Sequence, residues 1–182
     1  MKNGLLAVVP LLLIMMIPSV DARLATPGWV QAESGVAAAA PFVEAPDSLT
    51  LTVYLHDVQM SQSGGTLLVD PIEWYEGEQA DKVFAEREPD AGIDGPPDGY
   101  YIVNEEEEDV AYPVAPDAEV RLQIYDRTGQ GGDMNIQWNE AVSPPQFSKL
   151  FQQKDRLDLG WFPYHLTITD GQVVRIVQQY VP

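Results

Sequence analysis

Apolar side chains fall into three regimes along this chain. From Leu5 to Ile17 they run almost unbroken, from residue 23 to 48 they lack any period, and from Leu49 onward they mostly alternate with polar positions. Leu51, Val53 and Leu55 alternate with Thr52, Tyr54 and His56, the pattern of a half-buried strand. Ser63-Gly64-Gly65 turns the chain into a second strand, Thr66 to Trp74, which predicts a hairpin. Between Glu76 and Glu88 the spacing lengthens, with Ala80, Val83, Phe84 and Arg87 on one helical face, acids in the first turn where they suit the helix dipole, and Pro89 as the stop.

Asp90 to Gly99 carries Gly or Pro at nearly every other position and predicts an acidic surface loop. A short strand, Tyr100 to Asn104, precedes the acidic run Glu105 to Asp109. Glu119 to Tyr125 predicts a further strand with Val120, Leu122 and Ile124 on one face, and Arg127 to Asp133 is Gly-rich. Ser143-Pro144-Pro145 reads as the cap and first turn of a second helix, with Phe147, Leu150 and Phe151 on one side. Phe162 to Thr169 and Gln172 to Tyr180 flank Asp170-Gly171, a favoured two-residue hairpin turn. The expected fold is α+β over residues 49–182. About six strands form an antiparallel sheet able to curl into a small barrel, with two short helices.

The N-terminal pattern changes the expected location. Lys2, the apolar run and Val20-Asp21-Ala22 have the order of a signal peptide over residues 1–22, with cleavage expected after Ala22. The run of about 13 residues falls short of the ~20 that cross a bilayer, so retention as an anchor is the lesser alternative. Residues 23–48, rich in Ala and Pro, read as a flexible spacer. No later segment is apolar enough to span a membrane. The expected location is secreted or extracytoplasmic, at the cell surface. With no cysteine in the chain, lipid attachment at cysteine, disulfides and thiolate chemistry are excluded, and stability must come from an apolar core.

Charge narrows the partners. The formal net charge is −18, and residues 70–119 concentrate it, with 17 acidic side chains against Lys82 and Arg87. Such a surface repels phosphate backbones, so nucleic acid is excluded as a partner, and anionic lipid fares little better. The plain reading is a solvated face.

Val69-Asp70, Glu73-Trp74, Gly77-Glu78-Gln79-Ala80, Tyr100 to Asn104, Pro113-Val114, Asp170-Gly171-Gln172-Val173 and Gln179 to Pro182 carry a resemblance. Over roughly residues 50–182 the chain resembles a group of exported bacterial proteins of unknown function. These combine a signal peptide or lipid anchor, a low-complexity spacer and one small α+β domain. The resemblance implies architecture and attaches no activity. The chain departs from the group in placing Glu105 to Asp109 where a basic residue is expected.

Candidate chemistry is sparse. Calcium is the one cofactor with a positive argument, because Asp90, Asp94 and Asp98 are evenly spaced in a turn-rich loop and a hard cation takes oxygen ligands. Gly92 and Tyr101, however, stand where an EF-hand has its third and twelfth ligands. His56 and His165 lie opposite the aliphatic faces of their strands, where neighbouring strands would let them pair, or work with Asp57, as an acid/base or metal site. Ser61, Ser63, Ser143 and Ser148 have turn or cap roles, without the G-x-S-x-G of a nucleophile elbow. Gly129 to Gly132 lacks the context of a phosphate cradle. Among the tryptophans, Trp29, Trp74, Trp138 and Trp161 are of the type that lines carbohydrate or peptide grooves, with Trp74 and Trp161 expected to pack against strands. The expected function is a non-enzymatic binding or cell-surface accessory module with a cell-surface or extracellular partner. The alternative is a small secreted hydrolase using carboxylates and a histidine.

Overall fold

The computed structural model describes residues 47–182; the expected signal peptide and nearly all of the spacer lie outside the described residues. Seven strands, β1 (Leu49–Ser61), β2 (Gly64–Glu76), β3 (Tyr100–Val103), β4 (Val110–Leu122), β5 (Glu140–Val142), β6 (Pro163–Thr169) and β7 (Gln172–Gln178), form one sheet in the order β3-β2-β1-β6-β7-β4-β5. A further pairing of β2 with β4 closes β1, β2, β4, β7 and β6 into a five-stranded barrel. Two helices, α1 (Gly77–Arg87) and α2 (Pro144–Phe151), and a 3-10 turn (Leu159–Trp161) complete the α+β domain.

The alternation in β1 works as the sequence predicts up to Leu55, with Val53 and Leu55 buried. Beyond it, a bulge between Leu55 and Asp57 shifts the register against β2 and reverses the parity, so that Val58 and Met60 point inward. An inserted residue is what lets one strand change which side chains face the core. Val53, Val58, Leu67, Val69, Leu122, Leu166, Val173 and Ile176 fill the barrel, and α2 adds fully buried Phe147 and Phe151. Phe147 meets Tyr164 with ring centroids 5.8 Å apart. Pro144 and Pro145 open α2 as expected, but Ser143 caps it through the backbone, its carbonyl accepting from the Phe147 N–H, without a side-chain bond.

Three expectations need correction. The strand expected at Glu119–Tyr125 is the far half of β4, which starts at Val110 and ends at Leu122. Its front half carries Pro113 and Pro116, which weaken the strand signal, yet residues 110–114 pair with β2. β5, only three residues long, was not foreseen. The sheet is also not wholly antiparallel, because β4 and β7 run parallel, with a register shift between Val114 and Glu119. Helix α1 and both predicted hairpins stand within a few residues of expectation. The last hairpin turns on Asp170 (φ 52°) and Gly171 (φ 75°), both left-handed, as this turn demands.

In chain order, the barrel strands pair 1-2-3-5-4 and back to 1, with a helix between the third and fourth. This is the strand connectivity of the five-stranded OB barrel. The link from β2 to β4 is the departure from a bare barrel. It holds α1, the Asp90 to Gly99 loop, β3 and the acidic run. This insertion buries Ala80, Phe84 and Val103, and Phe84 meets Tyr101 edge-on at 5.5 Å. It is anchored by Asp70, a carboxylate only 2% exposed, which accepts from Asn104 Nδ2 (2.6 Å) and the Glu108 N–H (2.9 Å). A buried carboxylate is costly unless its oxygens are hydrogen-bonded, so these two bonds hold the acidic run in place.

Candidate functional site

OB barrels bind oligonucleotides and oligosaccharides on the face of their second and third strands, beside the loops joining strands 1–2 and 4–5. Here those loops are minimal, Gln62-Ser63 and Asp170-Gly171, and the corresponding face offers Thr66, Leu68, Ala111 and Pro113. That surface lacks the aromatic rings and cations on which nucleic acid binds.

The aromatic side chains gather instead on the outer face of β1, β2 and β6, next to the insertion. Because Val53 and Leu55 point inward, Thr52 and Tyr54 point out, and the register sets Thr52 beside Ile72 and His165, and Tyr54 beside Asp70. Trp74 shares this face and pairs with Ile102 of β3, while Glu76 pairs with Tyr100. The Tyr100 ring stacks on Trp74 with centroids 4.7 Å apart and planes 11° apart, and His165 meets Trp74 edge-on at 6.2 Å. The indole Nε1 of Trp74 donates to Glu76 (2.8 Å). All four rings, Tyr54, Trp74, Tyr100 and His165, are partly exposed.

His165 is fixed by its neighbours. Gln179 donates its amide to the Tyr180 carbonyl (3.0 Å), which orients its Oε1 to accept from His165 Nε2 (3.2 Å). The Thr52 hydroxyl takes the other ring nitrogen, Nδ1, at 3.0 Å. Both ring nitrogens are occupied in positioning the imidazole.

The tyrosines differ in kind. Tyr75, Tyr101, Tyr125 and Tyr164 donate their hydroxyls to protein oxygens. Tyr54 and Tyr100 make no side-chain hydrogen bond among the described residues. Burial, then Tyr100 and the Asp70 carboxylate, push the Tyr54 phenol above its ordinary range, and burial, then Asp98, do so for Tyr100. Both phenols stay protonated at neutral pH and available to a ligand as donor and acceptor.

The other sequence candidates are dispersed. His56 and His165 do lie on neighbouring strands, but His165 faces Thr52, four residues from His56, and β6 begins opposite Tyr54, so the two do not pair. His56 instead binds Asp109 through Nδ1 (2.7 Å), with Glu107 3.7 Å from Nε2. Asp57 takes no part. Gln59 is the main cause holding its carboxyl below the ordinary range, with Gln152 and the Val58 N–H also donating to it. Ser148 is bonded to Val58 and Met60, and Ser61 and Ser63 to each other within the turn. Asp90, Asp94 and Asp98 all stand exposed between α1 and β3, and no group of three or more acidic or histidine side chains is gathered to hold a metal ion among the described residues.

The Gly-rich loop after β4 is a turn around its own carboxylate. Asp126 accepts from the N–H groups of Thr128, Gly129 and Gly131, so the donors that could cradle an anion are already used. Trp138 and Trp161 are 68% and 76% exposed. The expected packing of Trp161 fails because its 3-10 turn directs Leu159 and Phe162 inward and leaves position 161 outward. Trp74 was legible as a groove-type residue, but its partner Tyr100, 26 positions away, was not. Only the β2–β3 pairing brings them together.

The chain matches no protein-family model, no curated protein and no solved structure.

Proposed function

We propose that this chain is an exported, non-enzymatic binding module that takes saccharide on the Trp74–Tyr100 platform. The signal-peptide pattern and the resemblance to exported bacterial proteins support a secreted or cell-surface location. The observation that carries the binding reading is the stacked, partly exposed Trp74–Tyr100 pair, in which the Tyr100 phenol, like that of Tyr54 beside it, makes no side-chain hydrogen bond among the described residues. Flat aromatic faces suit the apolar face of a pyranose, and the free hydroxyls of Tyr54 and Tyr100 suit a ligand rich in donors and acceptors. The acidity of the surrounding insertion disfavours the nucleic-acid ligands of other OB barrels.

Affinity electrophoresis against a panel of soluble polysaccharides tests this. Binding to at least one polysaccharide is expected, with Tyr100→Ala or Trp74→Ala weakening it tenfold or more, since loss of one stacking ring costs about 1–3 kcal/mol. Retention in both variants at wild-type strength would remove the platform from the account.

His56 favours a second reading, a hydrolase. Its Nδ1 is held by Asp109, which leaves Nε2 to act as a base. Among the described residues no hydroxyl or thiol hydrogen-bonds to it, so a carboxylate and a water would have to supply the rest. Turnover of any polysaccharide bound in the same panel, abolished by His56→Ala, would put this reading ahead.

A further inference from the structure

The charged groups that hydrogen bonding, register and chain adjacency put at the platform are carboxylates. Glu76, on the same strand face as Trp74, spends Oε1 on the indole N–H and keeps Oε2. Asp98 stands exposed two residues before Tyr100 and forms no ion pair among the described residues. Asp70 pairs with Tyr54 across β1 and β2. The only bases in residues 70–119 are Lys82 and Arg87, and Arg87 is bound to Glu105 at 2.6 Å. His165 has both nitrogens occupied. A uronate, sulfate or phosphate would therefore meet these carboxylates, with Lys82 of α1 the one base of residues 70–119 that forms no ion pair among the described residues.

Resting on the saccharide reading above, we infer that the ligand is a cationic amino sugar polymer of the glucosamine class. Its pyranose face stacks on Tyr100, and its ammonium group is received between Asp98 and Glu76. The ammonium offers three donors to these carboxylate acceptors, and an aromatic face beside it adds cation–π attraction. The ligand's hydroxyls fall to the phenols of Tyr54 and Tyr100. A lysine-rich peptide shares the charge, but it has no polyhydroxylated ring to use the two phenols.

Three oligosaccharides of equal length separate the possibilities, namely glucosamine, N-acetylglucosamine and galacturonate oligomers. Each is titrated into the purified protein by calorimetry at about pH 5, where the weakly basic amines of a glucosamine oligomer hold their protons. Glucosamine is expected to bind at least tenfold more tightly than its N-acetylated counterpart, and galacturonate least. The double variant Asp98→Asn, Glu76→Gln keeps an acceptor for the Trp74 N–H and should bring the preference to about twofold or less, as should raising salt until the Debye length is about 3 Å. Tyr100→Ala should weaken glucosamine and N-acetylglucosamine alike. Equal wild-type affinity for those two sugars, lost in Tyr100→Ala, would overturn the amino-sugar inference and leave the saccharide platform standing. Sugar binding indifferent to Tyr100→Ala would remove both. Oligolysine binding without glucosamine binding would overturn the inference in favour of a peptide.

Discussion

The barrel and its insertion are built by different physics. Between them, the barrel and α2 place large apolar side chains from six elements in one cluster, with Leu67, Leu122, Phe147, Tyr164, Leu166 and Ile176 fully excluded from solvent. The insertion between β2 and β4 buries few large side chains. It is held by Asp70, by the Gly77 N–H donating to Gly99 (3.1 Å), by the Arg87–Glu105 pair and by stacking on Trp74. Hydrogen bonds of this sort are worth about 1 kcal/mol each, and exposed ion pairs less, against about 1.5–3 for each buried aliphatic or phenyl side chain. The chain thus keeps its stability in one region and more than half of its net negative charge, together with Tyr100, in the other.

That contrast can be broken from either side. The largest effect belongs to the barrel. Phe147→Ala leaves a cavity against Tyr164 and Phe151 and should cost about 3–5 kcal/mol in denaturant unfolding, with every region affected together. Next, Asp70→Ala strips Asn104 and the Glu108 N–H of their acceptor and should cost about 1–3 kcal/mol. Hydrogen exchange should then accelerate across residues 77–109 while β6 and β7 keep their protection. Equal acceleration in the barrel would show that the two regions are one cooperative unit.

The smallest effect is alkaline. Burial is the main cause pushing the Tyr125 phenol up to about 12, with its hydrogen bond to Glu140 adding to the shift. The folded state therefore favours the neutral phenol. Its contribution is fully present below the unfolded value near 10 and is lost as pH rises through about 12. Melting temperature should fall over that window, and less so in Tyr125→Phe, which a pH series of thermal scans would show.

Local signals made the two hairpins and both helices legible: alternation in β1, the Asp170-Gly171 turn, the proline pair opening α2. What stayed hidden was non-local or locally contradictory. The prolines of β4 argue against a strand that pairing with β2 nevertheless forms. The bulge after Leu55 reverses which β1 residues are core, and no composition cue at His56 announces it. The candidate site was hidden in the same way. Trp74, Tyr100, His165 and Asp98 each had an ordinary reading as strand or loop residues, and only the lateral order β3-β2-β1-β6 assembles them. Asp98, considered from spacing as part of a calcium loop, stands exposed beside the Tyr100 strand, with no metal-binding group gathered around it among the described residues.

The parallel pairing of β4 with β7 also sets an order of events in time. β7 follows every other strand in the chain, yet in the ring it stands between β4 and β6. Until its residues are available, both neighbours expose unpaired edges and the cylinder stays open. Ring closure of this kind joins segments far apart in sequence and is slow for that reason. A translocation machine that accepts only unfolded chains would find this one still threadable until its final strand had been synthesised.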